Sequence, residues 1–323
     1  LTDVTGVQTC ALPICLRKLS PDLLVIFETE IWPNLFWECE KMGIPVLVIS
    51  GRISPRSFKR YRRARFFFRE VISHAYFLMQ SEEDVHRIRE MGAPRENVAM
   101  GGDIKLDGIK MKLTESEEAS LRDTFGSGGP TWVAGSTHPG EEETLLDVYG
   151  RLVLKFPSLR LILAPRHLDR MEIVREMVAR KKIPYLLRSR LPIQGRESGV
   201  VLLDSYGELS RVYALANVVF IGGTLSPIGG HNLMEAAALG KPVLFGPHIS
   251  NCKNQARLLL EKQAGIQVKD GNELESQMAH LLDDPSRAIS MGEKGREAIL
   301  ANQGAMEKCI ARVEEIIRNT KAP

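Results

Sequence analysis

A glycine-rich stretch at residues 222–247, which reads GGTLSPIGGHNLMEAAALGKPVLFGP, has residue types that suit nucleotide binding. Its glycines allow close backbone approach, and a helix predicted to begin near His231 or Asn232 would offer N–H groups to a phosphate. Asn232 can also cap that helix, while Glu235 can accept hydrogen bonds from ribose hydroxyls. The alternative is a glycine turn before an ordinary capped helix. The N-x-x-E spacing, the small-residue helix and the G-K-P-V strand together favour a nucleotide site.

Other polar residues directly follow predicted strands of the second half of the chain. Arg166 in PRH has the fork geometry that binds phosphate or carboxylate, although a surface arginine in a turn is an equal alternative. Ser136 and Thr137 in GSTH can cap the next helix or bind an anion. His138, in the same motif, is more often a structural or surface histidine than a catalyst. SYGEL also opens a predicted helix, and the alternative to a functional role for Glu208 is an ordinary acidic residue in the first turn, which the helix dipole favours.

Charged residues at two strand ends of the first block are candidates for catalysis. Glu28 and Glu30 in ETEIWPN would lie on one side of an extended segment, an arrangement that suits acid–base chemistry or charge stabilisation. The flanking Phe27 and Ile31 indicate partial burial rather than a solvated turn. Lys105 in GDIKLD lies near the predicted domain boundary and could reach a phosphate, with a solvated lysine as the commoner alternative.

A dense basic run with interleaved aromatics follows the second predicted strand. Its basic residues are Arg52, Arg56, Lys59, Arg60, Arg62, Arg63, Arg65 and Arg69. This pattern fits contact with an anionic membrane surface. Contact with nucleic acid is a second interpretation. A solvated helix face is a third, and it equals either of the other two when the run is taken alone.

Composition indicates an ordinary globular chain of about two domains, with 323 residues, 44% hydrophobic and 26% charged. A net charge of +3 is too mild to imply nucleic acid by itself. The longest apolar runs, DLLVIF and IPVLVI, fall short of the roughly 18 residues of a membrane span. Five scattered cysteines fit a reducing cytosol, and no HExxH or paired CxxC predicts a metal site. Collagen, a disulfide scaffold and a disordered chain are excluded.

Short apolar runs alternate with amphipathic stretches, which predicts an α/β fold with parallel sheets. In the first block the predicted strands are 22–27, 44–50 and 75–81, and residues 97–105 are predicted to form a fourth strand followed by a turn. In the second block they are 131–136, 159–165, 200–204, 217–223 and 242–247. We expect a partial domain over 16–112 and a complete one, including the terminal helices, over 113–323. Because parallel sheets bind ligands at the carboxyl ends of their strands, the polar motifs above are expected to line one edge.

The first fifteen residues do not resemble a natural protein start. Residues 4–14 read VTGVQTCALPI, which matches an in-frame translation of a common sequencing-adapter oligonucleotide. A signal peptide would need a basic region and an apolar core, and neither is present. We therefore expect residues 1–15 to be an adapter artefact and the natural sequence to have been cut before Leu16.

Several motifs together resemble one family closely, the 3-deoxy-D-manno-octulosonic acid (Kdo) transferases of lipopolysaccharide synthesis. In chain order they are ETEIWPN, SGRIS, QSEEDVHRIREMGA, GDIKLD, AGSTHPGEEE, LILAPRH, GEL, FIGGTLSPIGGHNLMEAAALGKPVLFGPH and NQGA. They cover residues 16–318, and GSTHPGEEE followed by GGHNxxE is not a generic pattern.

This resemblance implies a GT-B type α/β fold, in which two Rossmann-like domains face each other across a cleft, with the first domain incomplete here. It also implies inverting transfer of Kdo from CMP-Kdo to a lipid A precursor, at the cytoplasmic face of the bacterial inner membrane. No metal and no cofactor beyond the CMP-Kdo donor are expected.

Residue roles carry over by motif. Donor binding falls to Pro165, Arg166, Gly207, Glu208, Leu209, Asn232, Leu233, Met234 and Glu235, with Ser136, Thr137, His138, Gly230 and His231 as weaker candidates. Glu28 and Lys105 would stabilise the transition state. The candidates for an acceptor or membrane surface are Arg52, Arg56, Lys59 and Arg60. Positive groups near the leaving phosphate would help most where its charge develops.

Two features of the family are missing from this sequence. The family's general base is a glutamate in an S-V-G-E type motif early in the first domain, and no such motif precedes ETEIWPN. The family's N-terminal membrane anchor is missing too. We therefore expect a fragment that binds CMP but transfers Kdo poorly or not at all.

Two competing functions remain open at this point. Another GT-B enzyme, such as a UDP-sugar transferase or a 2-epimerase, would share the glycine loop and the ribose glutamate, and its preference for UDP over CMP would distinguish it. A non-enzymatic basic module centred on residues 52–69 would show binding that collapses with salt and ignores Glu235→Ala. The strand-end motifs argue against that module, and nucleic acid is not an expected partner.

Overall fold

The computed structural model describes residues 13–126, 128–191 and 199–321, so residues 1–12 of the expected adapter segment lie outside it. The chain divides into two compact units. Unit 1 comprises the described residues up to Gly108 together with those from Asn302 onward, and unit 2 spans Ile109–Ala301.

Unit 1 is built on a parallel four-stranded sheet in the order β1-β2-β3-β4. Its strands are β1 (Leu24–Phe27), β2 (Val46–Gly51), β3 (Ala75–Met79) and β4 (Val98–Met100). Its helices are α1 (13–19), α2 (Pro33–Lys41), α3 (Pro55–Arg63), α4 (Arg65–Ile72), α5 (Glu82–Met91), α6 (Ile104–Asp107) and α15 (Ala305–Lys321). The four predicted strands of the first block are all present, and the basic run from Arg56 onward forms α3 and α4.

Local sequence signals explain where α5 begins and ends. The Ser81 hydroxyl accepts the N–H of Asp84 at 3.2 Å, which satisfies one of the free donors of the first turn. Gly92 ends the helix in the left-handed conformation, at φ 112°. Between them, Val85 and Ile88 face the core of unit 1.

The last helix, α15, packs on unit 1. Cys309 and Ile316 lie in one buried cluster with Leu47 and Leu78 of the sheet. The Asp107 carboxylate accepts the N–H groups that precede and open the helix, at 2.9 Å from Gly304 and 2.6 Å from Met306. This corrects the expectation that residues 113–323 form one domain, because apolar burial and a helix cap tie α15 to the first unit.

Unit 2 contains a parallel seven-stranded sheet in the order β11-β10-β9-β5-β6-β8-β7. Its strands are β5 (Thr131–Thr137), β6 (Arg160–Pro165), β7 (Tyr185–Leu187), β8 (Gly199–Leu202), β9 (Val218–Ile221), β10 (Val243–Phe245) and β11 (Gly265–Gln267). Its helices are α7 (Glu115–Phe125), α8 (Glu141–Lys155), α9 (Met171–Arg180), α10 (Leu209–Val212), α11 (Met234–Ala238), α12 (Lys253–Glu261), α13 (Gly271–Asp283) and α14 (Pro285–Leu300).

The predicted α/β class with parallel sheets is confirmed, and two details differ. The sequence pattern missed β7 and β11, which are three-residue strands at the two edges of the sheet. The strand predicted within 97–105 is β4, which ends at Met100, but the predicted turn leads into a short helix, α6, because the Asp103 carboxylate accepts the N–H of Lys105. None of the helices within the described residues is both long and apolar enough to cross a bilayer.

Candidate functional site

The candidate site lies at the carboxyl edge of the sheet in unit 2. Strand β5 runs between β6 and β9, and all three are parallel, so the segments that follow them meet at one edge. Two backbone hydrogen bonds join these segments directly. Arg166 donates its N–H to the Thr137 carbonyl at 2.9 Å, and Gly222 donates to the Gly135 carbonyl at 2.8 Å.

A buried carboxylate, Glu141, organises the glycine-rich loop at this edge. Its side chain is 1% exposed and accepts five backbone N–H groups. The donors and their distances are Gly223 at 2.7 Å, Leu225 at 2.8 Å, Thr224 at 2.9 Å, His138 at 3.0 Å and Ser226 at 3.2 Å. These five bonds satisfy the backbone donors of the loop within the protein itself. Sequence analysis missed Glu141 because one acid among three at a helix start looks like an ordinary dipole charge.

The structure corrects how the glycine loop was expected to hold a phosphate. Helix α11 begins at Met234, later than the predicted start near His231 or Asn232, and it is only five residues long. Its leading N–H groups already have acceptors, since Met234 donates to the Asn232 side chain at 3.0 Å and Leu233 to the Gln255 side chain at 2.9 Å. Together with the donors held by Glu141, this leaves side chains as the better candidates for contacting an anion.

Two histidines from different segments share a hydrogen bond at this edge. The Nε2 atoms of His138 and His231 lie 2.7 Å apart, with ring planes 3° apart and ring centres separated by 5.0 Å. These values place the rings edge to edge, so one imidazole donates to the other. His167, after β6, approaches His138 edge to face at 5.5 Å. The chain spacing of these histidines gave no sign of the cluster.

The histidine pair is held in its neutral form. Burial lowers the pKa of His231 to about 4, and His138, Arg166 and His167 add to this effect. Burial also lowers the pKa of His138, with Glu141 opposing the shift. In a neutral pair, the Nε2 of one ring donates its proton to the Nε2 of the other.

Gly223 must be a glycine beside this pair. Its φ is +69°, a conformation that side chains rarely adopt, and a Cβ there would lie 3.2 Å from His231 and 3.4 Å from His138. Gly222 is equally constrained, since a Cβ would come within 2.4 Å of the Ser136 carbonyl. The glycines therefore serve close packing of the loop against β5.

The two polar residues of the N-x-x-E motif contact each other. The Asn232 amide donates to the Glu235 carboxylate at 3.0 Å, while its oxygen caps Met234. Glu235 is half-buried, and its charge adds to the burial that raises the pKa of Tyr213. Asn232 thereby orients Glu235, which keeps its second carboxylate oxygen for another donor.

The segment after β6 combines one exposed arginine with a buried ion pair. Arg166 is exposed and follows the buried Pro165. Nearby, Arg170 donates to the fully buried Glu142 at 2.9 Å, and burial raises the pKa of that carboxyl despite the arginine. Glu142 also accepts the Thr137 hydroxyl at 3.3 Å, so this pair braces the ends of β5 and β6.

The GEL motif lies at the same sheet edge, after β8, which neighbours β6. Glu208 accepts a hydrogen bond from Arg188 at 2.8 Å and another from the Ser205 hydroxyl. Burial raises the pKa of this carboxyl, but those two bonds outweigh it and the net shift is downward. Gly207 has φ +79°, and Leu209 opens α10.

The two catalytic candidates of unit 1 form an ion pair with each other. Lys105 Nζ contacts Glu28 Oε1 and lies 5.4 Å from the centre of the Phe27 ring. Glu28 has φ 61°, so the chain bends there instead of staying extended. Because of this bend, the expectation that Glu28 and Glu30 share one side of an extended segment is wrong. The two carboxylates have different partners, since Glu28 contacts Lys105 whereas Glu30 accepts the Trp32 indole N–H at 3.1 Å.

The four candidates for an acceptor or membrane surface, Arg52, Arg56, Lys59 and Arg60, are all exposed. The Arg52 N–H donates to the Thr29 hydroxyl at 2.7 Å, which joins the start of this segment to the ETEIWPN motif. The other three lie on α3, a helix with no buried residue. Their exposure leaves them available to an anionic partner.

The parallel sheet and its polar carboxyl edge place unit 2 in the Rossmann-like class of α/β structures. A family model described as 3-deoxy-D-manno-octulosonic-acid transferase (kdotransferase) matches residues 9–108, beginning within the expected adapter segment. The 3-deoxy-D-manno-octulosonic acid transferase of Haemophilus influenzae is 31% identical over 300 residues, which cover 90% of this chain and 69% of that relative. The chain therefore belongs to the Kdo transferase family, as its motifs indicated.

The chain is also similar to another curated relative and to solved structures, of which those with low sequence identity show the fold alone. A bifunctional glycosyltransferase/methyltransferase of Fusobacterium nucleatum is 36% identical over 263 residues, and the chain spans only 40% of its length. The C-terminal CMP-Kdo binding domain of WaaA from Acinetobacter baumannii matches with a TM-score of 0.51 at 26% identity, covering 57% of this chain and 93% of that domain. UDP-GlcNAc 2-epimerase from Neisseria meningitidis matches with a TM-score of 0.65 at 12% identity over 97% of this chain and 81% of the epimerase. The predicted GT-B type fold is confirmed by these likenesses.

Proposed function

We propose that unit 2 binds CMP-Kdo at the carboxyl edge of its sheet. The family's reaction would then be the inverting, metal-independent transfer of Kdo to a lipid A precursor at the cytoplasmic face of the inner membrane. The observation that carries the donor proposal is the meeting of Arg166, the histidine pair and the Asn232–Glu235 pair at one sheet edge. The likeness to a CMP-Kdo binding domain supports the choice of donor.

The proposed roles follow from the chemistry of each group. Arg166, exposed and cationic, suits the phosphate of CMP, since its fork can bind two oxygens at once. Glu235, oriented by Asn232, suits the ribose hydroxyls as an acceptor. His231 presents a neutral ring that can donate or accept without adding charge. As CMP leaves it gains negative charge, so a fixed arginine helps most in the transition state.

In unit 1, Glu28 and Lys105 are proposed to stabilise the transition state. Their ion pair is exposed, so the charges remain accessible to a ligand.

Calorimetry with CMP and with UDP tests the donor proposal directly. We expect CMP to bind more tightly than UDP, and EDTA to leave that binding unchanged. Glu235→Ala should weaken CMP binding by about tenfold, the loss of a hydrogen bond to a charged acceptor. Glu143→Ala is the matched control, since Glu143 is an exposed glutamate on α8. Tighter binding of UDP would favour another nucleotide-sugar enzyme, and equal losses in both variants would overturn the assignment of Glu235.

A further inference from the structure

A groove on unit 1 gathers five arginines that no step of the proposed reaction uses. Its volume is about 990 Å³, and its cationic lining consists of Arg62, Arg65, Arg69, Arg89 and Arg95. Arg62 comes from the end of α3, Arg65 and Arg69 from successive turns of α4, Arg89 from α5, and Arg95 from the turn after α5. The groove is therefore assembled from segments that are separate in the sequence.

A close contact between two helices brings these arginines together. Gly92, at the end of α5, lies so near Arg69 that a Cβ on it would be 2.7 Å from the Arg69 Cβ. This approach sets α4 against the last turn of α5, and so sets Arg65 and Arg69 opposite Arg89 and Arg95. A small residue at position 92 is thus required for the groove to have its present width.

The arginines carry an unbalanced charge. Two carboxylates, Glu82 and Glu90, also line the groove, which leaves a formal charge of +3. Glu90 lies 3.6 Å from His86, and within the described parts of the chain no ion pair joins it to a groove arginine. Arg89 donates to the Val98 carbonyl at 2.9 Å, which holds its guanidinium in place. The five arginines are exposed, so solvent screens their mutual repulsion in part, and their forks remain accessible to an anion.

Phe66, beside the groove, indicates that the anion belongs to a membrane lipid. Phe66 is 90% exposed and lies three residues before Arg69, so it occupies the neighbouring stripe of α4. An exposed phenylalanine gains most by entering an apolar phase, and arginines beside it can remain at the headgroup level. A continuous nucleic acid backbone fits less well, because Glu82 and Glu90 would oppose its evenly spaced phosphates.

We propose that this groove binds the phosphomonoester headgroup of a membrane lipid, with Phe66 inserted among the acyl chains. A phosphomonoester carries up to two negative charges on three outer oxygens, so two arginine forks can each bind it through two hydrogen bonds. A phosphodiester offers one charge and two free oxygens, so it satisfies fewer of these donors. This proposal rests on the membrane location in the proposed function, but the groove lies in unit 1 and its occupancy does not depend on donor binding by unit 2.

Vesicle sedimentation with the full chain tests this proposal. Phosphatidylcholine vesicles are doped with phosphatidic acid, a phosphomonoester, or with phosphatidylglycerol, a phosphodiester, at matched surface charge. We expect about tenfold tighter binding to the monoester vesicles, the value of an added charge-assisted contact. Equal binding to the two vesicles would overturn the headgroup assignment.

Matched double variants separate the groove from general charge. The double variant Arg65→Ala with Arg69→Ala should abolish the preference for monoester vesicles. The control pair, Arg56→Ala with Arg60→Ala, lies one turn apart on α3. It should weaken binding to both kinds of vesicle equally and keep the preference. Arg65→Lys with Arg69→Lys keeps the charge and should still lose the preference, which guards against a folding defect. Identical effects of the α3 and α4 alanine pairs would overturn the assignment of lipid binding to this groove.

Two further measurements identify the molecule that supplies the phosphate. Phe66→Ser should weaken vesicle binding while leaving the affinity for glycerol 3-phosphate unchanged. An unchanged vesicle affinity in this variant, or tighter binding of glycerol 3-phosphate than of monoester vesicles, would assign the groove to a soluble phosphate. Tighter binding of single-stranded DNA than of vesicles would assign it to nucleic acid, and either result overturns the lipid proposal.

Discussion

Glu141 accepts the backbone N–H of Gly223 at 2.7 Å, across 82 residues of chain. The same carboxylate holds three further N–H groups of the glycine loop and that of His138. One buried side chain thus fixes the loop after β9 against the end of β5. The loop is rigid because its donors are satisfied within the protein, so a ligand at this edge meets a preformed surface.

The first prediction concerns this carboxylate. Glu141→Gln replaces an acceptor oxygen by an NH2 group that faces backbone donors, leaving buried N–H groups unsatisfied. We expect the free energy of unfolding to fall by about 3 kcal/mol in urea denaturation. Glu143→Gln, an exposed neighbour on α8, should change it by less than about 0.5 kcal/mol. Similar small changes in both variants would show that the loop does not depend on Glu141.

The histidine pair predicts a pH dependence of stability. Burial lowers the pKa of His231 from 6.5 to about 4, so between these values the unfolded chain binds more protons than the folded one. The free energy of unfolding should therefore fall as the pH drops from about 6.5 towards about 4, and remain level above that range. His231→Asn should flatten this slope, whereas His86→Asn, at an exposed site, should retain it. A wild-type curve that is flat across this range would contradict the neutral pair.

Two glycines of unit 2 should respond to alanine in opposite directions. Gly223→Ala places a methyl group against both imidazoles at a positive φ, and should lower the free energy of unfolding by about 1–3 kcal/mol. Gly150→Ala, within α8 and with no atom within 4 Å of the added Cβ, should raise it by about 0.5–1 kcal/mol. Thermal unfolding of the two variants measures both effects, and the same sign for both would refute the packing argument.

The contact of Lys105 with Glu28 should contribute little to stability. Both side chains are about half exposed, at 60% and 43%, so solvent screens the pair. We expect Lys105→Met to change the free energy of unfolding by less than about 1 kcal/mol, which denaturant titration can measure. A larger loss would indicate a structural role and weaken the proposal that these charges act on a ligand.

Attachment of α15 to unit 1 should depend on Asp107. Asp107→Ala removes the acceptor for the N–H groups of Gly304 and Met306, and should speed amide hydrogen exchange across Ala305–Lys321 by roughly tenfold. Asp123→Ala, an exposed change on α7, is the control and should leave that exchange unaltered. Unchanged exchange in Asp107→Ala would show that apolar packing alone holds the helix.

Much of the fold was predictable because its signals are local. Alternating apolar runs and amphipathic stretches marked nine of the eleven strands of the two sheets. The short edge strands β7 and β11 were missed, since three residues carry too little pattern to stand out. The predicted start of α11, near His231 or Asn232, was two to three residues too early. The Asn232 side chain accepts the N–H of Met234, the first residue of the helix, from two residues away.

The sequence by itself determined the family, the parallel α/β class and which loops lie at the carboxyl edge, because these depend on residue order and short-range pattern. Only the tertiary structure decided that His138 meets His231 across 93 residues and that Glu28 meets Lys105 across 77. It also decided that the loop N–H groups belong to Glu141 and that five arginines line one groove. Such contacts join residues far apart in the chain, so they exist only once strands and helices have packed and brought those side chains within hydrogen-bonding distance.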